Sequence, residues 1–252
     1  MVMKHTGTLE TMQPQNSKLG SLLLGFFIFL GLSTLGYLLA KSAIDYKQLD
    51  RSVTVKGLSE HEYDADIVIW PIQFTLAGND LSLVYQSIDK NVGTIKQFFV
   101  QNGIGADEIT IAVPSITDKS LNQYNNSNNR PEFRFYAKQA VTVYSKNVKS
   151  VRAVMSKLAQ LGKQGIVFSQ DGYELSTEYI FTKLNEVKPQ MIEEATRKAR
   201  EVAEKFATDS KSKLGKIKRA SQGRFSISER DKNNPHIKKV RVVSTVEYYL
   251  SD

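Results

Sequence analysis

The residues whose types could do chemistry first occur together within the N-terminal third of the chain. Glu60, His61 and Glu62 are consecutive, and Asp64 and Asp66 follow at alternate positions. Paired carboxylates can serve as general acid and base, and carboxylates beside an imidazole can hold a cation. No second acidic cluster at a definable spacing completes a ligand set. We therefore expect Asp64 and Asp66 to open a strand, the neighbouring residues to be solvated, and no metal site to form.

Other sequence signals of catalysis are missing. The remaining histidines are His5 and His236, and their spacing does not resemble a zinc site. The chain has no cysteine, so thiol chemistry and disulfides are excluded. It also lacks a phosphate-binding loop, a nucleophile elbow and a dinucleotide fingerprint. We predict no catalytic residues, no metal and no cofactor.

Basic residues form the strongest candidate binding patch. The net charge is +8, and one segment near the C-terminus is densely basic. Such a patch could bind a polyanion, namely anionic lipid or polysaccharide, although a solvated surface is the more common explanation for such charges. The candidate polyanion-binding residues are Lys211, Lys213, Lys216, Lys218, Arg219 and Arg224.

A second basic face alternates with aromatic residues. Arg134, Tyr136, Lys138 and Tyr144 share one face of a predicted strand. Interleaved basic and aromatic side chains can stack on single-stranded nucleic acid. A domain delivered to or across a membrane seldom meets nucleic acid, so we expect no nucleic-acid partner.

One apolar run determines where the chain works. The 22 residues Leu19–Ala40 carry no charge, which is long enough for a helix to cross a hydrocarbon core of about 30 Å. A cleaved signal is the alternative, since Ala40-Lys41-Ser42 resembles a cleavage site. We predict a retained membrane anchor, with its N-terminus inside. The predicted organisation is a polar tail (1–18), the anchor (19–40), a polar linker (41–50) and an extracytoplasmic domain (51–252).

The domain reads as alternating strands and helices. Alternation predicts strands over 52–56, 64–77, 109–113, 133–143, 166–181, 216–227 and 238–250, and helical spacing predicts helices over about 80–102, 147–161 and 188–214. Gly57 should end the first strand, and Pro71 should mark an edge or a bulge. Pro189 should lie in the first turn of the last helix, which Leu214-Gly215 should close.

The order of elements repeats. Residues 64–145 and 166–250 each give strand, helix, strand, polar loop, strand, and the helix at 147–161 joins them. We predict an α+β fold of duplicated strand–helix–strand–strand units with antiparallel sheets, preceded by one transmembrane helix.

Three segments resemble the SIMPL domain family of bacterial envelope proteins. Ser52–Ile69 is similar to the family's opening strand, Gly-containing turn and second strand, except that Ala65-Asp66 replaces a frequent Pro-Asp pair. Glu193–Ile217 resembles its helix with alanines four residues apart, and Asn102–Thr110 resembles its helix exit into a strand. The resemblance covers about residues 51–250. It implies an envelope location, with the anchor in the inner membrane and the domain in the periplasm. It also implies an α+β fold, a link to stress tolerance and, in some members, ring-like homo-oligomers, with no catalytic residues to transfer.

Three functions follow as hypotheses. The first is a non-enzymatic, membrane-anchored envelope protein that acts by homo-oligomeric assembly or partner binding. The second is a module that binds anionic lipid or polysaccharide through the basic segment. The third is a hydrolase with an unfamiliar site.

Overall fold

The computed structural model describes residues 17–121, 132–169 and 176–251. This part of the chain combines helices with antiparallel sheets, which confirms the predicted α+β class. Two short 3-10 turns, Ala106–Glu108 and Lys119–Leu121, accompany the main elements. In chain order the main helices and strands are α1 (Ser17–Leu49), β1 (Ser52–Asp64), β2 (Ile67–Gly78), α2 (Leu81–Gln101), β3 (Ile109–Ile111), β4 (Ser115–Asp118), β5 (Phe135–Ser145), α3 (Val148–Met155), α4 (Ala159–Gly162), β6 (Phe168–Ser169), β7 (Glu178–Ile180), α5 (Leu184–Asp209), β8 (Lys213–Gln222), β9 (Ser226–Glu229) and β10 (Ile237–Ser251).

The chain divides into two compact units. One contains the described parts of 1–55, 202–220 and 246–252, and the other contains those of 56–201 and 221–245. We call them the anchor unit and the main unit. The repeat of strand–helix–strand–strand order stays a prediction.

The larger sheet forms the core of the main unit. Its strand order is β3-β5-β2-β6, with β4 on β5 and β7 on β2. Strands β2 and β5 pair antiparallel from Val68 opposite Ser145 to Gly78 opposite Phe135. Alternate residues of both strands are buried, and the apolar side of α2 contributes to the same core. Trp70 is 6 % exposed, and its ring centroid lies 5.5 Å from that of Phe99.

Pro71 lies inside this sheet, so the edge-strand prediction is wrong. Strand β2 pairs with β5 on one side and with β6 and β7 on the other. Pro71 falls between residues 67–69, which pair with β7, and residues 73–74, which pair with β6. Thr75 donates its N–H to Val167 on the β6 side, and strand alternation places the nitrogen of Pro71 on that side too. The missing N–H therefore falls where the ladder changes partner.

Gly57 does not end the first strand as predicted, because β1 continues to Asp64. A Cβ at position 57 would overlap the carbonyl oxygen of Ala195 and would lie 2.5 Å from the nitrogen of Ala199. Both alanines are fully buried on α5. Glycine is needed here because the helix backbone packs directly on the strand.

Helix α5 also differs from its predicted bounds. It begins at Leu184, where Leu184 and Val187 pack against a core of Phe181, Met191 and Ala195, so Pro189 lies in its second turn. The helix ends at Asp209, and Lys211, two residues later, has a left-handed φ of 54°. Leu214-Gly215, predicted to close the helix, belong to β8 instead. Two apolar residues in the C-terminal part of the helix, Val202 and Phe206, are 38 % and 56 % exposed.

Other predictions meet the structure in part. Helix α1 continues to Leu49, through the predicted linker, because residues 41–49 contain no glycine or proline to end it. The predicted helix at 147–161 is two helices with a turn between them. The polar loop at 118–131 and the predicted strand at 166–181 lie partly outside the described residues.

Candidate functional site

Glu194 on α5 is the centre of a polar cluster that we call the Glu194 cluster. Ser59 Oγ donates to its Oε2 at 2.7 Å, and His61 Nε2 lies 2.5 Å from the same oxygen. Lys198 Nζ is 2.7 Å from Oε1, one helical turn along. Hydrogen bonds from Lys198, Ser59 and His61 lower the pKa of Glu194 to about 2. The carboxylate is therefore ionised at neutral pH and fixed by three partners.

The geometry of the Glu194 cluster does not fit nucleophilic catalysis. A serine nucleophile needs a base within hydrogen-bond reach, and that base needs its own orienting group. Ser59 instead donates to Glu194, as His61 does, and its side chain is completely buried. The cluster thus joins β1 to α5, and its members stabilise the packing around Gly57.

The acidic residues around His61 are engaged in ion pairs across the sheet. Glu60 lies 3.4 Å from Lys239, and Glu62 lies 3.7 Å from Arg230. Asp66 accepts hydrogen bonds from the N–H and the hydroxyl of Thr182. Asp64 ends β1, so these two aspartates do not open a strand as predicted. Over the described residues, no group of three acidic or histidine side chains is placed to hold a metal.

The basic segment is not a single cluster of available charges. Lys218 Nζ lies 2.7 Å from Asp50 and 3.4 Å from Glu247, and Asp50 raises the pKa of Lys218. Lys216 and Arg219 are exposed on β8. Lys211 lies just before β8 and has a left-handed backbone conformation, with φ 54°. Lys213 is the first residue of β8. Arg224 belongs to the main unit and the other five to the anchor unit. Polyanion binding by this segment stays a prediction.

The basic–aromatic face of β5 is partly occupied by intramolecular contacts. The Arg134 guanidinium lies 2.9 Å from Asp118, and together with Ser120 it lowers the pKa of that carboxyl to about 2. Lys119 lies 5.7 Å from the ring centroid of Tyr136. The cation and the ring that would contact nucleic acid thus already have partners.

A cavity of about 390 Å³ in the main unit is lined by charged residues that the sequence did not bring together. They come from the end of β1, from the start of α3 and from the loop before β10. The lining includes Asp64, Lys146, Lys149, Arg152 and His236. We call it the basic cavity. Because its residues come from three distant segments, no spacing in the sequence reveals it.

Helix α1 is the feature most relevant to location. Residues Gly20–Ile44 are long and apolar enough to cross a membrane, by length and composition. None of this segment is buried in the protein. Its leucine and phenylalanine side chains are about half to three-quarters exposed, from 49 % at Leu30 to 73 % at Leu22. Such an apolar surface requires cover by lipid or by other chains.

Comparison with protein families places most of the domain in a known family. A family model, SIMPL, described as a protein of unknown function (DUF541), matches residues 53–247. A search of curated proteins found no match. The matched range includes the Glu194 cluster and the basic cavity.

Proposed function

The chain belongs to the SIMPL family, and we propose that it is a non-enzymatic, membrane-anchored protein of the bacterial envelope. In this proposal α1 stays in the inner membrane and the domain acts in the periplasm by assembly or partner binding, in support of stress tolerance. The observation that carries the proposal is the 25-residue apolar segment Gly20–Ile44, none of which the protein buries. Lipid is the environment that suits such a helix.

Retention of the helix is supported by its length. The h-region of a cleaved signal has about 7–15 apolar residues, and this apolar run is longer. Helix α1 also continues without a break through residues 41–49, past the Ala40-Lys41-Ser42 sequence. Fractionation tests this step: the full chain should remain in membrane pellets after carbonate extraction. Release into the soluble fraction would contradict anchoring.

Assembly is supported by strand β1. Strands β5 and β10 have neighbours on each side and offer no open edge. Strand β1, 13 residues long, is at the end of the smaller sheet in the part of the chain that the structure describes. An uncovered edge can pair with a second copy. Small residues four apart in α1, Ser21/Gly25 and Gly36/Ala40, would also permit close helix contact in lipid.

Light scattering on two forms of the protein tests assembly. If the domain 51–252 and the full chain in detergent both associate, the interface lies in the domain. If only the full chain does, α1 drives assembly. Two monomeric forms at micromolar concentration would contradict assembly and leave partner binding.

A matched pair of variants tests the edge of β1. Arg51 O accepts from Leu250 N on the β10 side, so strand alternation points the N–H of Thr54 to the open edge. Thr54→Pro should remove one edge donor and weaken association without lowering the thermal midpoint, whereas Thr54→Ala should preserve both. Equal association of the two variants would exclude pairing at this edge.

Polyanion binding by the basic segment is the second candidate. Lys216 and Arg219, exposed on β8, favour it. The double variant Lys216→Gln/Arg219→Gln should bind anionic liposomes more weakly than the native domain does. The difference in affinity between the two should become smaller at high salt, because salt screens the charges. Salt-insensitive binding, or no effect of the variant, would contradict this candidate.

A further inference from the structure

The basic cavity carries an inference beyond anchoring and assembly. It is built within the main unit, around the junction of β5 and α3. Its volume of about 390 Å³ falls at the small end of the range for ligand sites, about 300–1,000 Å³. It could therefore enclose a small molecule or a headgroup rather than a polymer.

Most of the charged side chains that line the cavity are cationic. Lys146, Lys149 and Arg152 line the cavity together with one carboxylate, Asp64, which leaves a net charge of +2 with His236 neutral. Among the described residues, none of the three cations has a carboxylate within ion-pair distance. All three are exposed, although the neighbouring Val148 is buried in the core. Like charges held together without counterions repel one another, and a bound anion would relieve that repulsion.

The backbone that carries these cations is firmly held. Glu108 accepts from the Ser145 hydroxyl at 2.6 Å, and Ser145 Oγ accepts from the Asn147 N–H at 3.0 Å. Asn147 caps α3 by accepting from Ser150 N–H at 3.1 Å. Ser145 is 1 % exposed. The turn from β5 to α3 is therefore fixed by a partly buried chain of hydrogen bonds, and the opening turn of the helix adds positive potential of the same sign.

The wall opposite α3 is held as well. Ala65 donates its N–H to the carbonyl of His236 at 2.8 Å, which joins the end of β1 to the loop before β10. The His236 ring lies edge-on to Tyr179 with centroids 6.0 Å apart, and Arg152 hydrogen-bonds to Tyr179. Burial, with a smaller effect of Arg152, lowers the pKa of His236. The imidazole is therefore mainly neutral at pH 7, which is why His236 is counted as neutral in the net charge of the lining.

From the cavity and its charges we infer that this site binds a small molecule carrying a phosphate monoester. A monoester has a charge of about −1.5 to −2 at pH 7, which matches the net +2 of the lining. The guanidinium of Arg152 suits bidentate binding of phosphate oxygens, and the two lysines supply point charges beside it. A soluble ester and a phosphatidate headgroup present this same chemistry.

Calorimetry on the full chain in zwitterionic detergent tests the inference. The probes are inorganic phosphate, glycerol 3-phosphate as a soluble ester, and a short-chain phosphatidate as a lipid headgroup. Arg152→Gln should weaken binding of the best probe by about tenfold or more, as expected for losing a charge-assisted hydrogen bond. Lys149→Gln should weaken it too. The matched control is Lys163→Gln, which removes the same charge at an exposed position outside the cavity and should bind normally.

The outcomes separate the sources of the ligand. Tighter binding of glycerol 3-phosphate supports a free ester, and tighter binding of phosphatidate supports a lipid headgroup; both support the site. If none of the three probes binds at concentrations up to about 10 mM, the inference is overturned, because even a complex of millimolar affinity would be detected there. Equal weakening by Lys163→Gln and by the two cavity variants would also overturn it, because it would show attraction to net charge alone. Unchanged far-ultraviolet circular dichroism confirms that each variant is folded.

Discussion

Gly57→Ala should be strongly destabilising although it adds only one methyl group. The new Cβ would overlap the Ala195 carbonyl oxygen, and it would lie 2.5 Å from Ala199 N and 3.0 Å from the Ala195 carbonyl carbon. These are backbone atoms of α5, so no side chain can rotate to make room. The helix must move away from β1, which would loosen the packing of Ala195 and Ala199, both fully buried.

The magnitude follows from two opposing contributions. Adding a methylene to a packed core typically costs about 1–3 kcal/mol, and more where the obstacle is rigid. Replacing glycine by alanine also restricts the unfolded chain, which offsets about 0.4–1 kcal/mol. Because the overlap is with backbone, we expect a net loss of about 3 kcal/mol in the free energy of unfolding.

A matched control is available in α2. Gly93 lies within the helix and is exposed, and a Cβ there would meet no atom within 4 Å. Gly93→Ala should stabilise the domain by about 0.5–1 kcal/mol, since glycine is unfavourable inside a helix. Urea denaturation of the domain 51–252, followed by Trp70 fluorescence, measures both variants. A Gly57→Ala midpoint equal to or above that of the native domain would refute the close packing of α5 on β1.

The remaining predictions use the same domain or the intact protein. Trp70→Ala should cost about 3–5 kcal/mol, because the indole is buried against Phe99, and an unchanged denaturation midpoint monitored by circular dichroism would show that it is not buried. Glu194→Gln should cost about 1–2 kcal/mol at neutral pH through lost hydrogen bonds to a charged group. Because the pKa of Glu194 falls from 4.5 to about 2 on folding, its stabilisation is complete above pH 4.5 and is lost as the pH falls towards 2. Denaturation measured across that range should therefore show a shallower pH dependence in Glu194→Gln, and parallel curves would contradict it. The intact mass of the membrane-extracted protein should be that of a chain that still contains Leu19–Ala40. A mass that corresponds to a chain beginning near Ala43 would show cleavage.

Local signals in the sequence predicted much of the fold. Asp80 and Asn147 are of residue types that favour the start of a helix, and the side chain of each accepts hydrogen bonding from the first turn of its helix. Gly103 follows α2, where glycine commonly ends a helix, and it has φ 88°. The alternation through Val68 and Phe74 correctly gave the buried face of β2. These features depend on neighbours a few residues away, which is why one sequence suffices to find them.

Features that depend on distant partners could not be predicted. Gly57 looks the same in sequence whether it makes a turn or admits a helix, and only Ala195 and Ala199 distinguish the two. In the sequence alone, Pro71 indicates an edge strand. In the structure, β7 and β6 pair with β2 before and after Pro71, so its nitrogen needs no partner although the strand is internal. His61 and Glu194 are 133 residues apart and gave no shared signal.

The location of the domain is the central claim, and protease accessibility of the intact protein tests it most directly. Protease added to spheroplasts should digest residues 51–252 and leave a membrane-protected fragment that contains α1. Lysed spheroplasts serve as the control that the domain can be cleaved. Protection of the domain in intact spheroplasts, with digestion only after lysis, would contradict the proposed periplasmic location.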